Sequence, residues 1–453
     1  MSEINILDEV ADDAALSFDT RGLIDNLERL LRPWWSIAIG FVVTHAWIVW
    51  RAFHYRPEIF GDVTLYEWWA RIGFDHGRWP VLDFDWVYPA GALLPITLPA
   101  LGNDTQDAYQ ARWVVMLCVL SALALWRLVV ASERGWLAAW WYLAFLAVLG
   151  PIWMGRLEGV IAPIALIALV EARRRPALAV AIATFGAWIK IAPGAVVLAL
   201  AASASWLRDF CQSKSTADRE RSLGALTMRV LFPGVAVSVA VVGLAVLGGA
   251  GGRALSVFGE QQGRSLQAES VAATSFSLAR LGESPGFEFN TEIFTFEVPG
   301  GVAGAVASAL DTVLILAVLG LGVMIFLAAR RRPDLTMDVF LLGAYAITLA
   351  LIVFNKVGSP QFIAWIGPTV AAGIALASPT ARRLWHVPAA GLLGIALLTH
   401  LIYPIAYGEF IGGEARMIWV AAVRNILLVA LLGIAVWRLE QITVNAHNAN
   451  KNH

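Results

Sequence analysis

The chain has 453 residues, of which 58% are hydrophobic and only 15% charged, with a formal net charge of -1, and its mean hydropathy is +0.68. That is more apolar surface than a water-soluble domain can hide, so a soluble enzyme is excluded, and the near-neutral balance offers nothing to a nucleic acid. The two cysteines, Cys118 and Cys211, fall in an apolar run and a polar loop, so neither a disulfide framework nor a cysteine metal site is expected.

The first 33 residues carry Asp8, Glu9, Asp12, Asp13 and Asp19 and no early apolar core, which is not the pattern of a cleavable signal. Within Phe18 to Arg32, the apolar residues Leu23, Ile24, Leu27, Leu30 and Leu31 predict an amphipathic helix lying on the inner membrane surface. Apolar runs then recur near 35–53, 111–131, 135–154, 158–172, 177–190, 193–206, 229–250, 302–329, 336–355, 361–378, 386–404 and 416–437. A bilayer core takes roughly 17 to 25 helical residues to cross. The pattern predicts an all-α integral membrane protein of about 12 spans over 34–440, followed by a cytoplasmic tail at 441–453. The fourth, fifth and sixth runs are short, which predicts tilted or broken helices.

Lysine and arginine concentrate in cytoplasmic loops. With the N-terminus inside, the inner loops collect Arg134, Arg173 to Arg175, the segment with Arg208, Lys214, Arg219, Arg221 and Arg229, then Arg330 to Arg332, and Arg382 with Arg383. Both termini are therefore expected in the cytoplasm of a plasma-membrane protein, and the long loops 54–110 and 251–301 outside. In the first of these, Leu65 to Arg78 predicts an aromatic-rich helix and Tyr88 to Leu101 a second, apolar one along the membrane surface.

The first outer loop reads Gly61-Asp62-Val63-Thr64-Leu65-Tyr66, then Gly77-Arg78-Trp79-Pro80, then Asp85-Trp86-Val87-Tyr88-Pro89. Later come Trp188-Ile189-Lys190-Ile191-Ala192-Pro193, Gln262-Gly263-Arg264 through Gln267-Ala268-Glu269-Ser270, and Asn355-Lys356-Val357-Gly358-Ser359-Pro360-Gln361-Phe362. An Asp-x-x-x-Tyr after the first span, a Gly-x-x-Pro, a Tyr-Pro opening a surface helix, a Lys-x-x-Pro and a Lys-Val-x-Ser-Pro-Gln-aromatic segment, in this order, resemble glycosyltransferase family 87. Ala90 and Ala192 depart from the family's usual Pro and aromatic residues. The likeness covers roughly residues 35–404. It implies the C-type glycosyltransferase fold and transfer of a hexose, most often mannose, from a polyprenyl-phosphate donor to a glycolipid or lipoglycan hydroxyl outside the membrane, with inversion.

Such a reaction needs a carboxylate to take the acceptor proton and fixed positive charge where the phosphate departs. Asp62 is the expected base. Lys190, Arg264 and Lys356 are the expected phosphate-binding residues, and Tyr66, Trp86, Tyr88, Glu269, Gln361 and His400 the expected substrate-binding ones. Without the resemblance, Asp62 reads first as the N-cap of a helix starting at Val63, and the two lysines can be read as interfacial residues. Tyr403 joins His400 as a candidate contact, while Trp68, Trp69 and Trp86 are candidates to stack on sugar rings. Arg156 and Glu158 read as a surface pair at the turn between the third and fourth spans. Arg424 and Asp311, each in or beside a span, call for partners that the sequence does not name. The acidic pair Asp83 and Asp85 reads as a solvated turn, and no metal or cofactor is expected. A transporter of polyprenyl-linked sugars is the rival class, but transport does not require a structured outer loop with its aspartate.

Overall fold

A computed structural model of the chain describes residue 26 and residues 28–102, 105–204, 215–281, 287–291 and 294–451. Most of the expected N-terminal amphipathic helix, with Arg208, Cys211 and Lys214, lies outside the described residues.

Among the described residues, eight helical segments are long and apolar enough to cross a bilayer: Trp34–His54, Gln106–Val129, Gly135–Trp153, Thr216–Leu247, Gly301–Arg331, Pro333–Val353, Arg382–Ile405 and Ala415–Val444. The chain is a multi-pass, predominantly helical membrane protein. The helices that matter below are α1 (Trp34–His54), α2 (Arg56–His76), α3 (Gln106–Val129), α4 (Gly135–Leu149), α5 (Glu158–Glu171), α6 (Pro176–Ile189), α7 (Gly194–Ser203), α8 (Phe232–Leu247), α9 (Gly301–Arg331), α10 (Thr336–Val353), α11 (Ile366–Leu376), α12 (His386–His400) and α13 (Ala415–Lys451). As expected, the fourth to sixth apolar runs are short. Helices α5 and α6 have 14 residues each and α7 has 10, about 21 and 15 Å at 1.5 Å per residue against a hydrocarbon core of about 30 Å.

Burial sorts the helices. From Asp338 to Val353, α10 is buried on every side, as a helix apolar all round should be. Helices α8 and α9 instead leave Val239, Leu244, Leu247, Val302, Leu316 and Leu319 exposed, a continuous apolar surface suited to lipid. Helix α13 runs unbroken to Lys451, so the segment set apart as a tail continues the last helix.

The loops gather at two ends of the bundle. At one end the start of α2 meets the turns before α5 and after α12, through Arg156 on Ile59 and Tyr403 on Glu58, and the turn after α6 meets the start of α5 through Lys190 and Glu158. The segment at 264–270 pairs there with the turn after α10. At the other end Arg127 pairs with Glu171, Ser132 donates to the carbonyl of Ala375, and Ser378 donates its backbone N–H to Asp338. The arginine clusters at 173–175, 330–332 and 382–383 belong to that second end.

One expectation for the long loops is corrected. The first helix of the loop 54–110 begins at Arg56, nine residues before the expected Leu65, with Pro57 in its first turn. Asp62 therefore lies mid-helix and caps nothing. The expected second helix is present as the apolar helical stretch Ala90–Ala100, whose turns change in tightness around Pro95 and Pro99. The second long loop adds a small antiparallel hairpin to the otherwise helical fold, β1 (Glu288–Asn290) with β2 (Thr295–Glu297), in which Phe289 faces Phe296.

Candidate active site

Asp62 stands on α2, which the turn 150–157 presses from behind. A Cβ at Gly155 would lie 1.9 Å from the carbonyl oxygen of Ile59, so only glycine allows the turn to come this close. The next residue, Arg156, extends along the helix start and forms an ion pair with Asp62, its Nε 2.9 Å from Oδ2. Its Nη1 donates to the carbonyls of Ile59 at 2.6 Å and Gly155 at 2.9 Å. Tyr403 closes this cradle, donating to the Glu58 carbonyl at 2.5 Å. The side chain of Asp62 remains 36% exposed.

One turn further along α2, Tyr66 is buried against Trp69 and Trp113, and its hydroxyl lies 3.4 Å from that of Tyr88. Burial pushes both phenols well above their usual range, with the Asp62 carboxylate adding to the effect at each. Both stay protonated at any physiological pH, available as hydrogen-bond donors. Trp86 is 2% exposed and packs edge-on against Trp69 and Tyr88. It is a wall residue, not the open sugar platform expected; of the three tryptophans only Trp68 is exposed.

Lys190, just past the end of α6, reaches across to Glu158 at 2.5 Å. Its ammonium also sits 5.9 Å from the ring centre of Tyr88, 5.0 Å from Phe362 and 6.0 Å from Trp365, a cation–π surround. Glu158 is fully buried and accepts a further bond from Trp365 Nε1 at 3.3 Å. The expected surface pair of Arg156 and Glu158 is thus overturned. Both are buried, and each pairs away from the other, with Asp62 and with Lys190. Two residues apart where a turn becomes a helix, they point to different partners, which the local spacing alone did not reveal.

Arg264 is half-buried, and its Nε has no hydrogen-bond partner among the described residues. Burial pulls its guanidinium below the usual arginine range, and the acidic Glu297 and Glu260 oppose the shift. Lys190 sits against the Tyr88 ring, and Arg264 lies within electrostatic range of the same tyrosine. Lys356 does not join them in the expected way: it is buried, and its ammonium pairs with Asp311 at 2.8 Å, which also gives Asp311 its partner.

The second long loop is tied to this region. Gln267 donates its backbone N–H to the carbonyl of Lys356, and its Oε1 accepts from the Gly358 N–H at 3.1 Å and from the Ser359 hydroxyl at 3.2 Å. Glu269 is buried and accepts from the Tyr407 hydroxyl at 2.7 Å; the Tyr407 ring packs 4.9 Å from that of Tyr403. Arg424 donates to the Glu269 carbonyl at 2.5 Å and to Asn425 Oδ1. Its unnamed partner is therefore the backbone of the segment 264–270. Gln361 is half-buried in the turn Pro360–Trp365, beside Phe362.

His400 is a packed residue and not an open contact. Its Nδ1 engages the Val148 carbonyl at 3.0 Å, its Nε2 lies 3.4 Å from Arg51, and the ring occupies the space a Cβ at Gly150 would need. Asp83 turns back to accept the backbone N–H of Trp79 at 2.7 Å, which makes Asp83-Phe84-Asp85 the turn expected of it. Asp85 lines a separate surface groove of about 670 Å³ with Gly249 to Arg253, Ser256 and Glu260.

In comparisons with protein-family models, with curated proteins and with solved structures, the chain finds no match.

Proposed function

We propose that the chain is a membrane glycosyltransferase, of the kind its motifs resemble, that moves a hexose from a polyprenyl-phosphate donor to a lipid-linked hydroxyl outside the membrane. The observation that carries this reading is that one end of the bundle gathers a half-exposed carboxylate, Asp62, the tyrosine pair Tyr66 and Tyr88, and the cation Lys190 over the Tyr88 ring, with Arg264 in electrostatic range of that ring. Asp62 takes the proton of the acceptor hydroxyl as its oxygen bonds to the anomeric carbon. The bond from that carbon to the phosphate oxygen breaks on the opposite side, inverting the centre, and the phosphate leaves toward Lys190 and Arg264. Lys190 uses one of its three N–H groups on Glu158, so two remain for an anion. Lys356, neutralised by Asp311, is assigned to holding the outer segments together. The sorting of loops to two ends supports twelve crossings, and the arginine clusters at the far end support cytoplasmic termini.

The test incubates purified protein with radiolabelled polyprenyl-phosphate-mannose and membrane glycolipids and follows label into a larger lipid. Asp62→Asn is expected to lower the rate by about 10² to 10⁴ while leaving donor binding intact. Because Asp62 is mid-helix, no lost cap complicates the result. An Asp62→Asn protein that transfers at the wild-type rate sinks the assignment of the base, and movement of donor across the bilayer without transfer would mark a transporter. Lys190→Gln and Arg264→Gln are each expected to cost about 2 to 4 kcal/mol of transition-state stabilisation. Unchanged turnover in both would leave the phosphate without its site.

A further inference from the structure

We propose that Arg156 is the positioning residue for Asp62, pairing with its carboxylate from the buried side so that the carboxylate is presented to the acceptor hydroxyl; the inference rests on Asp62 being the base. The nearly buried Arg156 places its Nε 2.9 Å from Asp62 Oδ2 as an ion pair, while the Asp62 side chain stays 36% exposed. A base needs this division: a carboxylate held from the buried side and open to the acceptor.

Arg156 is itself over-determined. Beyond Asp62, its nitrogens reach the carbonyls of Ile59, Gly155 and Glu58 and the hydroxyl of Tyr403, at 2.6, 2.9, 3.4 and 3.5 Å. Three separate parts of the chain supply these acceptors: the start of α2, the turn before α5 and the segment after α12. The guanidinium is only 9% exposed, and its planar fork spans acceptors on several sides, which a lysine ammonium on a single flexible stem cannot do. Arg156 therefore stays seated whether or not Asp62 bonds to it, and Asp62 takes its place from Arg156, not the reverse. The turn of α2 between Glu58 and Asp62 is gripped at both its carbonyls and its carboxylate, which sets the depth of the base relative to Tyr66 and Tyr88.

The experiment is a double-mutant cycle on the full chain in detergent, with the donor and glycolipid of the transfer assay. Arg156→Lys is expected to lower kcat about 100-fold, the cost of a base misplaced by about an ångström, with the donor KM changed by less than about twofold. Placed on Asp62→Asn, the same substitution is expected to cost almost nothing more, because the residue acts through a carboxylate already removed. Tyr403→Phe, which loosens one leg of the cradle, is expected to show a smaller loss with the same dependence on Asp62, and it serves if Arg156→Lys does not fold. Losses that multiply equally in both backgrounds, or a donor KM that rises in step with the fall in kcat, would mean a structural role and overturn the inference while leaving the glycosyltransferase reading intact. A wild-type chain that transfers no sugar removes that reading, and the inference with it.

Discussion

Glu269 keeps a carboxyl group where water does not reach: Oε1 accepts from Tyr407, and Oε2 has no partner among the described residues. Burial pushes its pKa above the usual glutamate range, and the Tyr407 hydrogen bond returns only part of the shift. The folded chain therefore holds a proton that the unfolded chain releases. The stabilisation linked to that proton is complete below the ordinary value of about 4.3 and is lost as pH rises through the raised one. Glu269→Gln cannot titrate. The wild-type melting temperature is thus expected to fall relative to this variant as pH climbs through the window, and two parallel curves would show that Glu269 is ionised throughout. A similar contrast explains which single residues were legible. Asp62 announces itself by its motif, whereas Arg156 and Glu158 read as one surface pair because their partners lie 94 and 32 positions away.

The outer segments are as tightly specified as the spans. At Gly358, in the turn after α10, a Cβ would stand 2.1 Å from Ser270 Cα and 2.4 Å from its nitrogen. Neither backbone can yield without parting the segments that Gln267 joins. Gly358→Ala is expected to destabilise by about 1 to 3 kcal/mol, the usual cost of forcing extra volume into a packed site, and to lower transfer through displacement of Arg264 and Glu269. Melting in detergent together with the transfer rate checks this; wild-type values for both would show that the segments separate freely. The spans were read from apolar runs because their period and length are local. The apolar helix Ala90–Ala100 was legible for the same reason, whereas the hairpin at Glu288–Glu297 was missed, because tertiary pairing decided it.

For the molecule as a whole, the arginine clusters at one end of the bundle make the proposed orientation testable. In a chain with Cys118 and Cys211 replaced, cysteines at the exposed positions Asp75 and Glu414 are expected to react with an impermeant thiol reagent in intact cells, and one at the exposed Arg174 only after lysis. Labelling at Arg174 in intact cells would invert the orientation and move the site to the cytoplasm.

Composition and apolar length alone determined that the chain lives in a bilayer and is mostly helix, since both follow from the cost of exposing apolar side chains and unpaired backbone to the wrong solvent. The ordered motifs singled out Asp62, Lys190 and Arg264 as candidates. Only the tertiary structure decided their company: that Arg156 pairs with Asp62, that Glu158 holds Lys190, that Lys356 belongs to Asp311, and that Arg424 holds the Glu269 backbone. Spans are set by the chemistry of each residue with its solvent, summed along the chain. Pairings between buried charges depend on which turns meet at the same end of the bundle, and no local pattern encodes that.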